Sequence, residues 1–526
     1  KESADGDGMP NETELKLQLP AAVHDLDSRR LLARLKPNLR AKGTRKTLRN
    51  VYFDTAERDL AKRGMALRVR AVGHKRIQTL KVPDAGTFGL QSFRELEAEL
   101  PNDRPSLAKV SDRALARTLR QEVWPRLQPV FLTNFERTSW RLPYRASQIE
   151  VSLDRGSIRA GDREEPIYEL EIELKGGDRI DLFGAAEELL DVAPFRLGHA
   201  TKAARGYALA DAATALPQKA IPVKLARSDT VATAFEKVVM SCVVQMQANE
   251  AAMLATGAVE AIHQFRVALR RLRAIVGAHR ELINDAVHAA WSIDLRWAQR
   301  ACGPARDLDV LVLETLSPMS VHLPDDAAFR RFLEVANEAR VAARREAIQA
   351  LHNPRYAAMQ LQFFQGLHNG AWRHALAGPL LDAPATEFAE RLLQARYKRL
   401  MKLGERWSDL PDAELHRLRI FGKKLRYVAL AFASLFKPKA TRRFQDRLSD
   451  LQDCLGAVND GAVGHQWIRQ LAERAGADGA LGPDELQRVQ GLVVGWHAHV
   501  VHDRLAQFRQ VWAAFAETKR FWRTRR

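Results

Sequence analysis

The sequence predicts two parts: an α+β N-terminal domain whose antiparallel strands curl into a β tunnel, then an all-α C-terminal domain of two duplicated helical bundles. Three observations predict this. To about residue 207, short segments alternate charged and apolar residues with period two. From about residue 228 the spacing changes to 3.6, and the helical half then repeats itself at a fixed offset.

Glu12-Thr13-Glu14-Leu15-Lys16 opens the first series. On a strand alternate side chains share a face, so both carboxylates and the ammonium project together. Alone, such a strand reads as a solvated surface. Its companions are Tyr52-Phe53-Asp54-Thr55, Leu67-Arg68-Val69-Arg70, Thr79-Leu80-Lys81, Arg94-Glu95-Leu96-Glu97, Asn134-Phe135-Glu136-Arg137 and Ile149-Glu150-Val151-Ser152-Leu153-Asp154. Glu169-Leu170-Glu171-Ile172-Glu173 and Ala200-Thr201-Lys202 close the series. An ordinary antiparallel sheet gives its charged face to water. With so many strands charged on one side, a sheet curled around a charged lumen, with helices outside, explains the pattern better. Its bases would bind an anion and its acids a divalent cation, the combination that a metal-bound polyphosphate presents.

These segments, spanning about residues 11–207, resemble the CYTH superfamily, the triphosphate tunnel metalloenzymes, whose hallmark is the ExExK strand. The resemblance implies an eight-stranded antiparallel tunnel. It implies that Glu12, Glu14, Glu169 and Glu171 hold Mg²⁺ or Mn²⁺, with Glu173 close by, and that Lys16, Arg68, Arg70, Lys81, Arg137 and Lys202 grip the phosphates. Lys81, Glu12 and Glu14 are the expected catalytic residues. One departure is visible: Phe93 stands where the family often has Arg, and by alternation Arg94 points away from Glu95 and Glu97 unless a bulge intervenes. The residue types suit phosphoryl transfer, which is mostly positioning and charge neutralisation. Mg²⁺ prefers a few carboxylates, phosphate oxygens and waters, and a second metal would lower the pKa of an attacking water.

At 526 residues the chain exceeds one ordinary core. Cys242, Cys302 and Cys454 form no even framework and read as buried, reduced thiols of a cytosolic protein. No apolar run approaches a membrane span, and residues 1–8 lack the apolar core of a signal peptide, so Met9 reads as the natural start. A net charge of +18 and a pI near 10.0 call for an acidic partner: nucleic acid, an anionic membrane surface or polyphosphate. Charge alone does not choose among them.

Alternation stops near residue 208, where Pro217 and Pro222 mark a linker. The expected domains are 9–212, the linker 213–227, and 228–526 with repeats of about 228–378 and 379–526. His263-Gln264-Phe265-Arg266 through Arg273 matches His416-Arg417-Leu418-Arg419 through Arg426 at an offset of 153, which also carries Gly303 to Gly456, Asp307 to Asp460 and Val310 to Val463. On a helix His263, Arg266, Arg270 and Arg273 span an arc of roughly 80°. His416, Arg419, Lys423 and Arg426 do the same. Solvated faces usually mix signs, whereas like charges on adjacent turns repel; a duplicated basic stripe is better explained by an anion lying across it.

These stripes, with Ala305-Arg306-Asp307-Leu308-Asp309-Val310 and Leu455-Gly456-Ala457-Val458-Asn459-Asp460, resemble the CHAD domain, the conserved-histidine α-helical domain, over about residues 228–526. The resemblance implies two four-helix bundles around a basic pore that binds long-chain polyphosphate through both stripes. His263 and His416 lack neighbouring ligands at metal spacing, so phosphate hydrogen bonding or helix packing is expected of them. Asp307, Asp309 and Asp460 are expected to orient arginines or cap helices. The tandem also resembles bacterial CYTH-CHAD inorganic triphosphatases. The expected function is metal-dependent hydrolysis of inorganic tripolyphosphate to pyrophosphate and phosphate in the cytoplasm, in association with polyphosphate granules, without membrane or nucleic-acid partners. The alternatives are a polyphosphate-binding scaffold without turnover, an adenylate cyclase or a thiamine triphosphatase.

Overall fold

The computed structural model describes residues 11–20, 28–36, 43–84 and 89–523. The expected start at Met9 and the residues before it lie outside the described residues, as do the side chains of residues 457–460, Asp460 included. The chain forms two compact units, one of Lys1–Thr214 with Leu351–Gly370 and one of Ala215–Ala350 with Ala371–Arg526.

In the first unit the strands are β1 (Asn11–Gln18), β2 (Thr44–Asp54), β3 (Ala66–Val72), β4 (Lys75–Pro83), β5 (Gln91–Leu100), β6 (Gln128–Tyr144), β7 (Ser147–Ala160) and β8 (Arg163–Gly176). They pair antiparallel in the order β5-β4-β3-β2-β6-β7-β8-β1, and a further β5–β1 pairing closes the eight-stranded barrel. A two-residue β9 (Arg196–Leu197) extends from β1. Helices α1 (Ser28–Leu35), α2 (Arg113–Glu122), α3 (Ile180–Leu189) and α4 (Lys202–Ala210) complete this part.

Register explains why the lumen is charged. Residues directly opposite each other share a face of the sheet. Lys16 faces Glu171, Asp154 faces Glu169 and Arg137, Arg70 faces Asn50, Arg68 faces Tyr52, and Lys81 faces Glu95. The residues between them are apolar and point outward, where Leu67, Leu80 and Leu96 pack with Leu119 of α2. Each fully buried Leu of this kind contributes roughly 1.5–3 kcal/mol. The α2 helix starts where Asp112 accepts from the Leu115 amide at 2.9 Å.

One stretch of the lumen is apolar. Leu48, Tyr52, Phe131 and Phe135 cluster there with Tyr207 of α4. Tyr52 stacks on Phe131 at 4.5 Å, and Tyr207 meets Phe131 edge-on at 5.1 Å. Ala200-Thr201-Lys202, grouped with the strands from sequence, is not a strand. Thr201 caps α4 by accepting from the Ala204 amide at 3.0 Å, and Lys202 is the helix's first residue.

The helical part comprises α5 (Val231–Thr256), α6 (Val259–Ala278), α7 (Asp285–Ala301), α8 (Gly303–Val310), α9 (Ser317–His322), α10 (Ala327–Leu351), α11 (Pro354–His368), α12 (Gly378–Leu381), α13 (Ala385–Gly404), α14 (Asp412–Ala431), α15 (Pro438–Ala477) and α16 (Pro483–Ala516). Of these, α11 belongs to the first unit. Duplication shows in the bounds: α6 and α14 differ by 153 at both ends, and α7 and α15 begin 153 apart. The repeats diverge after α7. Pro304 starts α8, which runs into a π-helical turn at Leu311–Leu316, whereas the second repeat has Ala457 at the Pro304 position and continues as the single helix α15. The three cysteines are buried and free, and no described helix is long and apolar enough to cross a membrane.

Gly206 lets α4 lie flat on the barrel: a Cβ there would stand 2.1 Å from the Phe131 ring. Gly206→Ala is therefore expected to destabilise the tunnel unit by about 1–3 kcal/mol despite the better helix propensity of Ala, read as a lower denaturation midpoint.

Candidate metal and anion sites

The lumen pairs acids with bases. Lys16, at the end of β1, reaches Glu14 at 2.9 Å and also contacts Glu171. From α4, Lys202 reaches Asp154 at 2.6 Å and Glu171 at 2.9 Å, and touches Glu169. Arg137 binds Asp154 through two hydrogen bonds, at 2.6 and 2.7 Å, and extends to Glu171. Lys81 bridges Glu12 and Glu95. Arg205, one helical turn after Lys202, holds Glu169 at 2.9 Å. Burial opposes charge on Glu171, but Lys16, Lys202 and Arg137 outweigh it and hold its pKa well below the carboxylate range. Burial likewise disfavours the Lys16 and Lys202 ammoniums, yet the surrounding acids push both pKa values above the ordinary lysine value.

The Arg70 side is different. Burial, then Arg68 and Arg137, lower the Arg70 pKa to about 10, and its Nε donates to the neutral Asn50 amide oxygen at 2.9 Å. Positive charge is in local excess there, which suits a phosphate. Glu173 faces Glu14 across the register, and burial followed by the neighbouring Glu12 and Glu14 raises its pKa although Lys175 pairs with it.

Asp154, Glu169 and Glu171 are buried, and an oxygen from each lies within 4.8 Å of the others. Three oxygen donors of this kind fit a hard cation such as Mg²⁺ or Mn²⁺. The group contains Glu169 and Glu171 from the expected set, while Glu14 and Glu12 stand on β1, paired with Lys16 of the same strand and with Lys81 of β4. Asp154 was quoted in the sequence pattern but not proposed as a ligand; its signal was parity, since it faces Glu169. Arg94 points out of the lumen and pairs with Asp112 at 2.8 Å, without a bulge in the β4–β5 register.

The second unit encloses a cavity of about 1550 Å³. Its lining includes His263, Arg266, Arg270 and Arg273 of α6 and Arg419, Lys423 and Arg426 of α14; His416 is exposed and lies outside that lining. Arg296, Arg396, Arg399 and Arg504 add charge that the repeated motif did not reveal, because they sit outside the matched segments, and Lys424, inside the matched segment but off the stripe, adds more. Burial and then Arg399 lower the Arg396 pKa to about 10, and burial followed by Arg396, Arg399 and Arg273 lowers that of Lys424. Arg273 belongs to one repeat and Lys424 to the other, so charges of the two repeats act on one another across the cavity. Burial, with Arg306 next, depresses His263 to about 4, leaving a neutral imidazole at neutral pH.

Asp307 lies 3.8 Å from Arg266. Fully buried Asp309 accepts from Arg344 at 2.7 Å and lies 3.8 Å from Arg340, so it anchors arginines within the bundle.

A closed antiparallel barrel with a lumen of paired acids and bases, followed in the chain by a duplicated helical domain with a basic cavity, defines a two-part tunnel and helical-repeat architecture. Family models agree: residues 10–207 match the CYTH domain and residues 237–469 the CHAD domain, so the chain carries a CYTH domain followed by a CHAD domain. Over 163 residues it is 37% identical to an inorganic triphosphatase of Haemophilus influenzae, a match covering 31% of this chain and about half (46%) of that protein. An uncharacterised protein of Mycobacterium tuberculosis is 28% identical over 429 residues, 77% of this chain and 79% of that one. The crystal structure of the CHAD domain from the plant Ricinus communis aligns with a TM-score of 0.50 at 27% identity, covering 58% of this chain and 98% of that one.

Removing Asp309 would strand Arg344 and Arg340 within the bundle. Asp309→Ala is expected to cost about 3–5 kcal/mol by chemical denaturation, whereas Ala at the exposed Arg345 of the same helix should stay within about 0.5 kcal/mol.

Proposed function

We propose that the tunnel hydrolyses inorganic tripolyphosphate to pyrophosphate and phosphate with Mg²⁺ or Mn²⁺, and that the helical cavity binds long-chain polyphosphate. The observation that carries the first part is the buried Asp154–Glu169–Glu171 group interleaved with Lys16, Arg137 and Lys202. A cation held by these acids, with Glu12 and Glu14 beside them, would supply Lewis acidity and an activated water. Phosphate oxygens would draw Lys16, Arg137 and Lys202 away from their acids, and Arg68 and Arg70 would bind the phosphates at the cation-rich side. Lys81, beside Glu12, would neutralise charge on the reacting phosphoryl group. The water oxygen bonds to the terminal phosphorus as the bridging P–O bond breaks with its electron pair on pyrophosphate; the water's protons pass to the products and solvent.

For the second part, the support is mutual repulsion among the cations that line the cavity, which a linear polyanion would relieve. The 37% identity to an inorganic triphosphatase supports hydrolysis of a triphosphate. Cytoplasmic placement near polyphosphate granules follows from this reading. Domain limits of 9–212 and 228–526, with two repeats, are the proposed organisation, but α11 clusters with the tunnel unit, so tests use the whole chain.

Phosphate release on tripolyphosphate, ATP, thiamine triphosphate and long polyphosphate, each with Mg²⁺ and Mn²⁺, should be fastest on tripolyphosphate. Cyclic AMP from ATP would point to a cyclase, and binding without release from any substrate to a scaffold. Glu12→Gln, Glu14→Gln and Asp154→Asn should each lower turnover at least ~100-fold with the fold intact; wild-type rates at saturating Mg²⁺ would reject the assignment.

Polyphosphate binding should weaken steeply with salt, by extension of counterion release from nucleic acids. Arg270→Glu with Lys423→Glu should weaken it at least ~10-fold more than the same changes at exposed Arg345 and Lys402. Arg344, outside the stripes in sequence, is unsuitable as a control because it holds Asp309. Equal effects would mean diffuse charge, and tighter binding to duplex DNA at matched salt would favour nucleic acid.

A further inference from the structure

We propose that α11, encoded within the helical half, is an integral part of the tunnel domain and positions Lys202 for the reaction. The proposal rests on the hydrolytic reading of the tunnel. The CYTH match ends at residue 207 and the CHAD match spans all of α11, yet α11 clusters with the tunnel unit.

The tunnel's own sequence calls for such a cover. In α3, Leu182, Phe183, Ala185, Ala186 and Leu189 are all fully buried and spread over roughly 160° of the helix surface, wider than one neighbour covers. The barrel supplies one side, and α11 packs on α3. The Phe183 ring lies 5.2 Å from that of His368, and Gln362 Nε2 donates to Glu187 Oε1 at 2.8 Å.

From α11 a short chain of contacts leads to the lumen. The fully buried Phe364 ring lies against Gly89, where a Cβ would stand 2.3 Å from it and where φ is +72°. Two residues on, Gln91 Nε2 donates to the carbonyls of Gly198 at 3.2 Å and His199 at 3.3 Å. The Gly198 amide donates to the Lys16 carbonyl at 2.7 Å. This segment, which follows β9 and contains Thr201, sets the first turn of α4 and therefore where Lys202 meets Asp154, Glu169 and Glu171. Contacts of α11 with β9 brace the same segment from its other end. Lys202 is thus aimed by residues more than 150 positions away in the chain, and Phe364 is a positioning residue.

The test compares full-length wild type, Phe364→Ala and Phe364→Leu. Hydrogen–deuterium exchange should quicken at least about fivefold over residues 196–203 and in α3 of Phe364→Ala. Tripolyphosphate turnover should drop about tenfold, mainly in kcat. Long-chain polyphosphate binding should stay within about twofold, because Phe364 is outside the basic cavity. Phe364→Leu, which refills most of the space, should restore both exchange and kcat. Unchanged exchange and turnover in Phe364→Ala would overturn the proposal. So would faster exchange throughout the chain together with lost polyphosphate binding, since that is global unfolding. Failure of the wild type to release phosphate, with exchange at residues 196–203 still responding to Phe364→Ala, would reject the hydrolytic reading and the catalytic role of Lys202 but leave the brace standing.

Discussion

Charge neutralisation inside the barrel is the constraint on which the tunnel depends. Moving an ion out of water costs several kcal/mol even after relaxation, and the cost is met only where opposite charges lie close with good geometry. Strands that point Glu, Asp, Lys and Arg inward close at least cost where the register sets opposite charges together. It does so at the acidic end of the lumen, with Lys16 opposite Glu171, Arg137 opposite Asp154 and Lys81 opposite Glu95, while β3 sets Arg68 and Arg70 opposite the neutral Tyr52 and Asn50 of β2. The same pairing prepares an exchange. Acids held by bases are ready to take a cation when the bases are drawn to an anion, so metal and substrate should favour each other's binding.

The helical cavity solves the opposite problem. In the lumen the pKa values of Lys16 and Lys202 rise because acids surround them; in the cavity those of Arg396, Arg273 and Lys424 fall because burial is joined by other cations. Here repulsion is only partly compensated, by acids such as Asp307 and Glu314 beside Arg266 and Arg306.

Much of this was legible in sequence because it is local. Period-two charge fixes which side chains share a face, and Glu12, Glu14 and Lys16 point to a lumen once the companion strands with the same pattern are counted. The 153-residue offset foretold the equivalence of α6 and α14. What was not legible depends on chain segments meeting from afar. Lys202 follows Thr201, which caps a helix, so its motif resembled a strand while the side chain arrives from a helix start. Asp154 completes the buried acidic group only through its cross-strand neighbour Glu169. Arg396 and Arg399 reach the cavity from α13, outside the matched motif, and His416 carries the motif but is exposed and outside the lining. The wide apolar arc of α3 was a sign of missing cover, but nothing near it in sequence named α11 as the cover.

Duplication also bears on what the cavity can tell apart. Nucleic acids have a five-prime and a three-prime end, and a binder that respects this polarity must present different groups to each. Linear polyphosphate reads the same from both ends, so under the proposed binding matched stripes from α6 and α14 would receive it in either sense and double the ways a chain enters. The match breaks at the Pro304 interruption with its π-helical turn, at the Asp309 anchor whose counterpart at the 153 offset is Ala462, and at His416, which lies outside the lining that His263 joins; each would present the two ends of a chain with different groups.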